Sequence, residues 1–202
     1  MLFTRDPQLL ADNVMNLPQG LHELRDQWCA RCQVPVEQLF SMGVFGDGVP
    51  HQKNKSIECL TWNLLGLGTH SKRYLAGCIP KAFTCKCGCG GKHTLDAMHQ
   101  ILAWSFKLLW LGRFPTCRHD GEPWHPQHDK ARSKLTGPLG FYGALLQVRG
   151  DWAWYKQAFG FPSWASLQIC WRCMAGVHEH PWTDFSMKAT WRHTQLTSAE
   201  FT

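Results

Sequence analysis

The chain has 202 residues, 44% hydrophobic and only 18% charged, with a formal net charge of +6. That length suits one domain, or one with a large insertion, and 12% aromatic content including 11 tryptophans excludes the aromatic-poor composition of disordered chains. The positive balance admits a polyanionic partner without demanding one.

Residues 1–33 are mixed and polar, punctuated by Asp6-Pro7, Asn13 and Pro18-Gln19-Gly20, with a short helix expected around 21–29. Their opening, MLFTRDPQLL, carries Arg5 and Asp6 and no uninterrupted apolar stretch of the secretory type. Leu39 to Phe45 predicts a strand that ends at Gly46-Asp47-Gly48. Ser56 to Leu67 begins with period-two alternation, Ile57, Cys59 and Thr61 on one face and Leu60 and Trp62 on the other, and predicts a second strand. A turn at 66–71 leads to a third strand, Arg73 to Phe83.

A Cys- and Gly-rich segment, Cys85 to His93, comes next. Leu95, Met98, Ile101, Leu102, Ser105, Leu108 and Leu109 then follow helical spacing. Thr94 suits the N-cap and Gly112 with Pro115 the stop, and so apolar a helix is expected to be largely buried. Its polar residues, among them Asp96, His99 and Lys107, make it unsuited to a membrane span. Residues 113–138 read as loop. Phe141 to Val148 predicts a fourth strand, and Trp152 to Phe159 a short helix that starts after Asp151 and ends at Gly160 and Pro162. The Trp-rich remainder shows no period.

Three strands on short links suit antiparallel pairing, and the helix then provides a crossover to a strand parallel to the first. That is the strand order of a ribonuclease-H-like α/β fold, with a mixed sheet over 39–202 and an N-terminal extension over 1–38. In such a fold Asp47 and Asp151 stand at the ends of adjacent strands. Carboxylates are hard ligands suited to Mg²⁺ or Mn²⁺, and two such ions about 3.5–4 Å apart can drive phosphodiester cleavage. The competing roles are plain: Gly-Asp-Gly is a good turn, and Asp151 stands where a helix cap belongs.

The chain is expected to be intracellular, and in a reducing compartment ten cysteines favour metal binding and buried thiols over disulfides. Cys85, Cys87, Cys89 and His93 form one dense candidate for Zn²⁺ within an insertion over 84–94; Cys78, Cys117 or His119 could substitute. Cys170 and Cys173 with His178 and His180 have the spacing of a zinc knuckle over 168–182, with His193 an alternative ligand. Cys29 and Cys32 form a third pair, and Cys59 suits a core strand.

Phe45-Gly46-Asp47-Gly48-Val49-Pro50 and Gly150-Asp151-Trp152-Ala153-Trp154-Tyr155, the latter continuing through Phe161-Pro162-Ser163-Trp164 to Cys170-Trp171-Arg172-Cys173, carry a resemblance over roughly residues 39–180. These blocks resemble the first- and second-aspartate blocks of cut-and-paste DNA transposases of the CACTA-like and related eukaryotic groups, including the transposon-like reading frames of dinoflagellates. The resemblance implies a DNA partner, nuclear location, strand cleavage and transfer with two metal ions on Asp47 and Asp151, and a zinc-binding insertion that includes Cys170 and Cys173. Homo-oligomerisation is compatible with it, and no membrane partner is expected. The family's third acid has no clear counterpart: only Glu179, Asp184 and Glu200 follow Asp151, so the core is expected to be incomplete at the C-terminus or degenerate. A non-catalytic, zinc-stabilised nucleic-acid-binding module and a Trp/Cys-rich protein-binding domain are the alternatives.

Overall fold

The computed structural model describes residues 13, 15–52, 55–67, 72–163 and 165–197. The chain divides into two compact units, Met1–Gly150 and Asp151–Thr202.

The first unit is a mixed α/β layer structure. Strands β1 (Leu39–Gln52), β2 (Lys55–Leu64), β3 (Tyr74–Pro80) and β4 (Tyr142–Gly150) form one sheet in the order β3-β2-β1-β4. β1 pairs antiparallel with β2, β2 antiparallel with β3, and β1 parallel with β4. Helix α1 (Gln19–Cys32) precedes the sheet, and α2 (Lys92–Trp110) makes the crossover to β4 that parallel pairing requires. No helix among the described residues is long and apolar enough to cross a membrane.

β1 continues well past its expected end. Gly46-Asp47-Gly48 is not a turn: Met42 to Pro50 pair in register with Leu64 to Ser56, and the ladder shifts only between Pro50 and Gln52. Proline has no N–H to donate, which suits this irregular edge of the ladder. Asp47 therefore lies within a strand opposite Cys59, which in turn pairs with Cys78, so the three share one sheet face. The parallel ladder stops earlier, at the pair Gly46 and Gly150. β3 gives way at Pro80 to a 3₁₀ turn, Lys81–Phe83.

One apolar cluster joins Leu17 and Val34 to Leu39, Leu65, Ala144 and Leu146, with Leu21, Trp28, Cys29 and Cys32 packed around it. Residues 13–38, expected to be an extension, thus supply part of this core. Asn13 is fully buried. Its amide donates to the carbonyls of Ser41 and Leu65 and its Oδ1 accepts from Ser41 N at 2.8 Å, which ties the segment to two strand ends.

The other cluster contains Phe40, Met42 and Leu64, against which Phe106 and Leu109 of α2 pack. Contrary to the expectation of a largely buried helix, Leu95 is the buried residue of α2 and Ile101 is 44% exposed. An apolar cavity of about 610 Å³ lies along the helix, lined by Met42, Leu60, Trp62, Met98, Leu102 and Phe106 among others. The helix stops as expected at Gly112, whose φ of +61° is left-handed; a Cβ there would stand 2.7 Å from Tyr142 Cε1.

The second unit opens with α3 (Trp152–Phe159), at the expected boundaries, and Gly160 at φ +71° closes it. Beyond it the backbone is irregular and is held by side chains. Tyr155 stacks on Phe161 at 5.5 Å and Phe161 on Trp171 at 4.9 Å. Cys173, Ala175 and Ala189 are buried, and Leu196 N donates to Arg172 O.

Candidate metal centre

The segment between β3 and α2 is shaped by what its residues can adopt. Gly88, Gly90 and Gly91 all have positive φ, at 94°, 64° and 91°, which side-chain-bearing residues rarely take. These turns fold Cys85, Cys87 and Cys89 back toward the start of α2. Gly91, rather than the expected Thr94, is the N-cap. Thr94 serves the loop instead: its Oγ1 accepts from Cys85 N at 2.8 Å.

His93, in the first turn of α2, completes the group. The ligand atoms of Cys85, Cys87, Cys89 and His93 all lie within 4.8 Å of one another. His93 Nδ1 is 3.7 Å from Cys85 Sγ and 3.3 Å from Cys87 Sγ. Zinc bound by thiolates at about 2.3 Å and imidazole at about 2.0 Å holds such atoms roughly 3.5–3.8 Å apart around a tetrahedron. Three soft thiols and one imidazole at these separations can hold a metal such as zinc. The backbone N–H of His93 above all, with hydrogen bonds from Cys87, the Gly91 N–H and Cys85, lowers the Cys89 thiol to about 6 against the rise from burial. Cys87 is shifted up, chiefly by hydrogen bonding with Cys85. The lowered thiol is the one aimed at by the helix start, where backbone N–H groups favour negative charge.

Among the described residues this is the group of three or more metal-ligating side chains that the fold assembles. Cys170 and Cys173 do meet, and burial followed by the neighbouring Cys170 raises the Cys173 thiol. Cys170 Sγ also accepts from Arg172 N at 3.3 Å. His178 and His180 do not join them in a ligand group; His178 is exposed, and His180 O accepts from Gly176 N at 2.9 Å. Cys29 and Cys32 are spent on the core around Leu39.

The two aspartates have distinct local settings. Asp47 is half-buried in β1, and its charge is one of the influences raising the Cys59 thiol, after burial, Cys78 and Glu58. Asp151 is exposed and caps α3, its Oδ1 accepting from Trp154 N at 2.6 Å.

Sequence reasoning passed over Glu58. It lies on β2 beside Gly48, 2% exposed, with Oε1 2.8 Å from Lys81 Nζ, a close contact poorly aligned for a hydrogen bond. The available signal was its phase: it shares a strand face with Leu60 and Trp62, so a carboxylate there needs a cation. Lys81 also anchors the metal loop, since its carbonyl accepts from Lys86 Nζ and from Thr84 Oγ1. No family model, curated protein or solved structure matches the chain, so its chemistry rests on this geometry.

Proposed function

We propose that the chain is a ribonuclease-H-like domain of the DNA-transposase kind, braced by a structural zinc at Cys85, Cys87, Cys89 and His93, that acts on DNA strands in the nucleus. The observation that carries this reading is the sheet: order β3-β2-β1-β4, one parallel pair reached through a helical crossover, and a parallel ladder that ends at Gly46 and Gly150. Each of those glycines is followed in the chain by an aspartate, Asp47 and Asp151. With Mg²⁺ or Mn²⁺ these acids would activate a water or hydroxyl and stabilise the leaving oxygen. The test is a strand-cleavage assay with Mn²⁺. Asp47→Asn and Asp151→Asn are each expected to abolish cleavage while zinc content stays near one per chain. Cleavage that persists in both variants would sink the catalytic reading.

A second reading, a zinc-stabilised nucleic-acid-binding module without catalysis, is favoured by the acids themselves. Asp151 already commits one oxygen to a helix cap. Of the candidates for a third acid, Glu179 is exposed. Asp184 accepts from Ser186 N, a bond that holds its carboxyl below the usual range. Glu200 lies outside the described residues. Strand binding that is intact in both Asn variants, with no cleavage by the unaltered chain, selects this module.

A further inference from the structure

A second cleft of the first unit, formed apart in sequence from Asp47, Asp151 and the Cys85–His93 group, has its own chemistry. It has a volume of about 600 Å³ and lies between the middle of α2 and the loop 113–135. That is within the size range of small-ligand pockets, roughly 300–1,000 Å³. Two indoles, Trp104 and Trp124, line it and are both half-buried. Two guanidinium groups, Arg118 and Arg132, line it as well, with His119, His125 and His128.

The local hydrogen bonding orients these groups. His125 Nδ1 accepts from both Gln127 N and His128 N at 3.2 Å, which puts the proton of its neutral ring on Nε2 and makes that nitrogen a donor. The His125 and His128 rings lie 4.3 Å apart, and His119 meets Trp104 edge-on at 6.4 Å. Asp129 is the acid of the cleft. Its Oδ2 accepts from His125 N, and its Oδ1 stands 3.5 Å from Arg132. Arg132 is 73% exposed, so that long contact holds it weakly and leaves it able to turn onto an anion. Arg118 pairs at 3.1 Å with Asp120, itself exposed. Histidines and an aspartate so placed suggest a metal, yet they do not form a ligand group.

Flat apolar walls with cationic and N–H donors at the rim suit a ligand that is aromatic at one end and anionic at the other. Bases stack on indoles with little regard to sequence, and guanidinium groups take phosphate oxygens in pairs. We infer that this cleft binds one nucleotide unit, its base against Trp104 and Trp124 and its phosphate on Arg118 and Arg132. The unit comes either from a free nucleoside monophosphate or from an unpaired position in a single strand. The inference does not rest on the zinc or on the aspartates: the cleft can bind whether or not the chain cuts DNA.

Titration calorimetry on the whole, zinc-loaded chain tests it, with adenosine monophosphate, adenosine, inorganic phosphate and a short oligothymidylate as probes. The monophosphate is expected to bind at least about tenfold more tightly than adenosine or phosphate alone, in keeping with a stacking contribution for one base. Arg118→Ala with Arg132→Ala, and Trp124→Leu, are each expected to weaken it by a similar factor, and Trp124→Phe to restore most of the loss. Lys156→Ala, an exposed charge of the second unit, should leave affinity unchanged. Binding of the oligonucleotide but not of the monophosphate, still lost in the cleft variants, identifies the strand as source and upholds the site. Phosphate binding as tight as the monophosphate, no binding by the folded chain, or oligonucleotide binding indifferent to all cleft variants would each overturn it.

Discussion

Cys89 shows how a residue's neighbours decide its chemistry. The N–H groups of His93 and Gly91 hold its thiol at about 6, whereas burial raises those of Cys29, Cys59 and Cys173. In zinc-free protein, carbamidomethylation of Cys89 by iodoacetamide is expected to reach half its maximal rate near pH 6. These three raised thiols should be labelled last at every pH up to 8, as read by peptide mass spectrometry. Equal labelling of Cys89 and Cys29 at pH 7 would show that the helix start does not act on this sulfur. Glu58 poses the opposite problem, a carboxylate taken from water. Lys81→Met would leave it buried without its cation and is expected to cost about 3 kcal/mol, measurable by urea denaturation. Lys81→Met with Glu58→Gln should recover part of that loss. The thiol cluster was legible in the sequence because its ligands sit within nine residues. Glu58 and Lys81 were not read as a pair because 22 positions separate them and nothing but strand phase marks Glu58 as buried.

The elements divide along the same line. The strands, α2 and α3 were readable from alternation, helical spacing and the glycines at 112 and 160. The length of β1 was not, because Gly46-Asp47-Gly48 has the composition of a turn, and only the ladder to β2 keeps it extended. Likewise Thr94 has the character of a cap, but the helix is capped three residues earlier, where Gly91 can take a left-handed φ. Gly112 marks a place where the element boundary is rigid. Alanine there meets both a φ of +61° and the Tyr142 ring, so Gly112→Ala is expected to destabilise the first unit by about 1–3 kcal/mol. Gly88→Ala meets strain at φ +94° but open space, so its thermal midpoint should fall less than that of Gly112→Ala. The reverse order would place the constraint in the metal loop.

For the molecule as a whole, the division at Gly150 has an energetic meaning. The sheet, the Cys85–Cys87–Cys89–His93 group and the tryptophan-lined cleft all belong to the first unit, and a metal such as zinc that binds its folded form alone would stabilise it by mass action. Free zinc at 100 times its dissociation constant contributes about 2.7 kcal/mol. Chelation by EDTA is therefore expected to lower the first unit's melting transition by roughly 5–10 °C, and re-added zinc to restore it. A transition that ignores EDTA would mean that the thiols fold without metal. The second unit, held by stacked aromatics and paired by few backbone ladders, was the least legible part of the sequence: its Trp and Cys residues follow no period, and stacking partners such as Phe161 and Trp171 are set by tertiary contact alone.

The placement of His93 in the first turn of α2 ties two events that are usually separate. The amides of Lys92, Thr94 and Leu95 are bonded to Cys89 O and Gly91 O, within the same loop that carries the sulfurs. Loss of a thiolate ligand, by oxidation as much as by chelation, would release those carbonyls, and deuterium would enter the start of α2 before its middle. Amide exchange at three positions thus becomes a local gauge of whether the cysteines are reduced and loaded, readable without any assay of function.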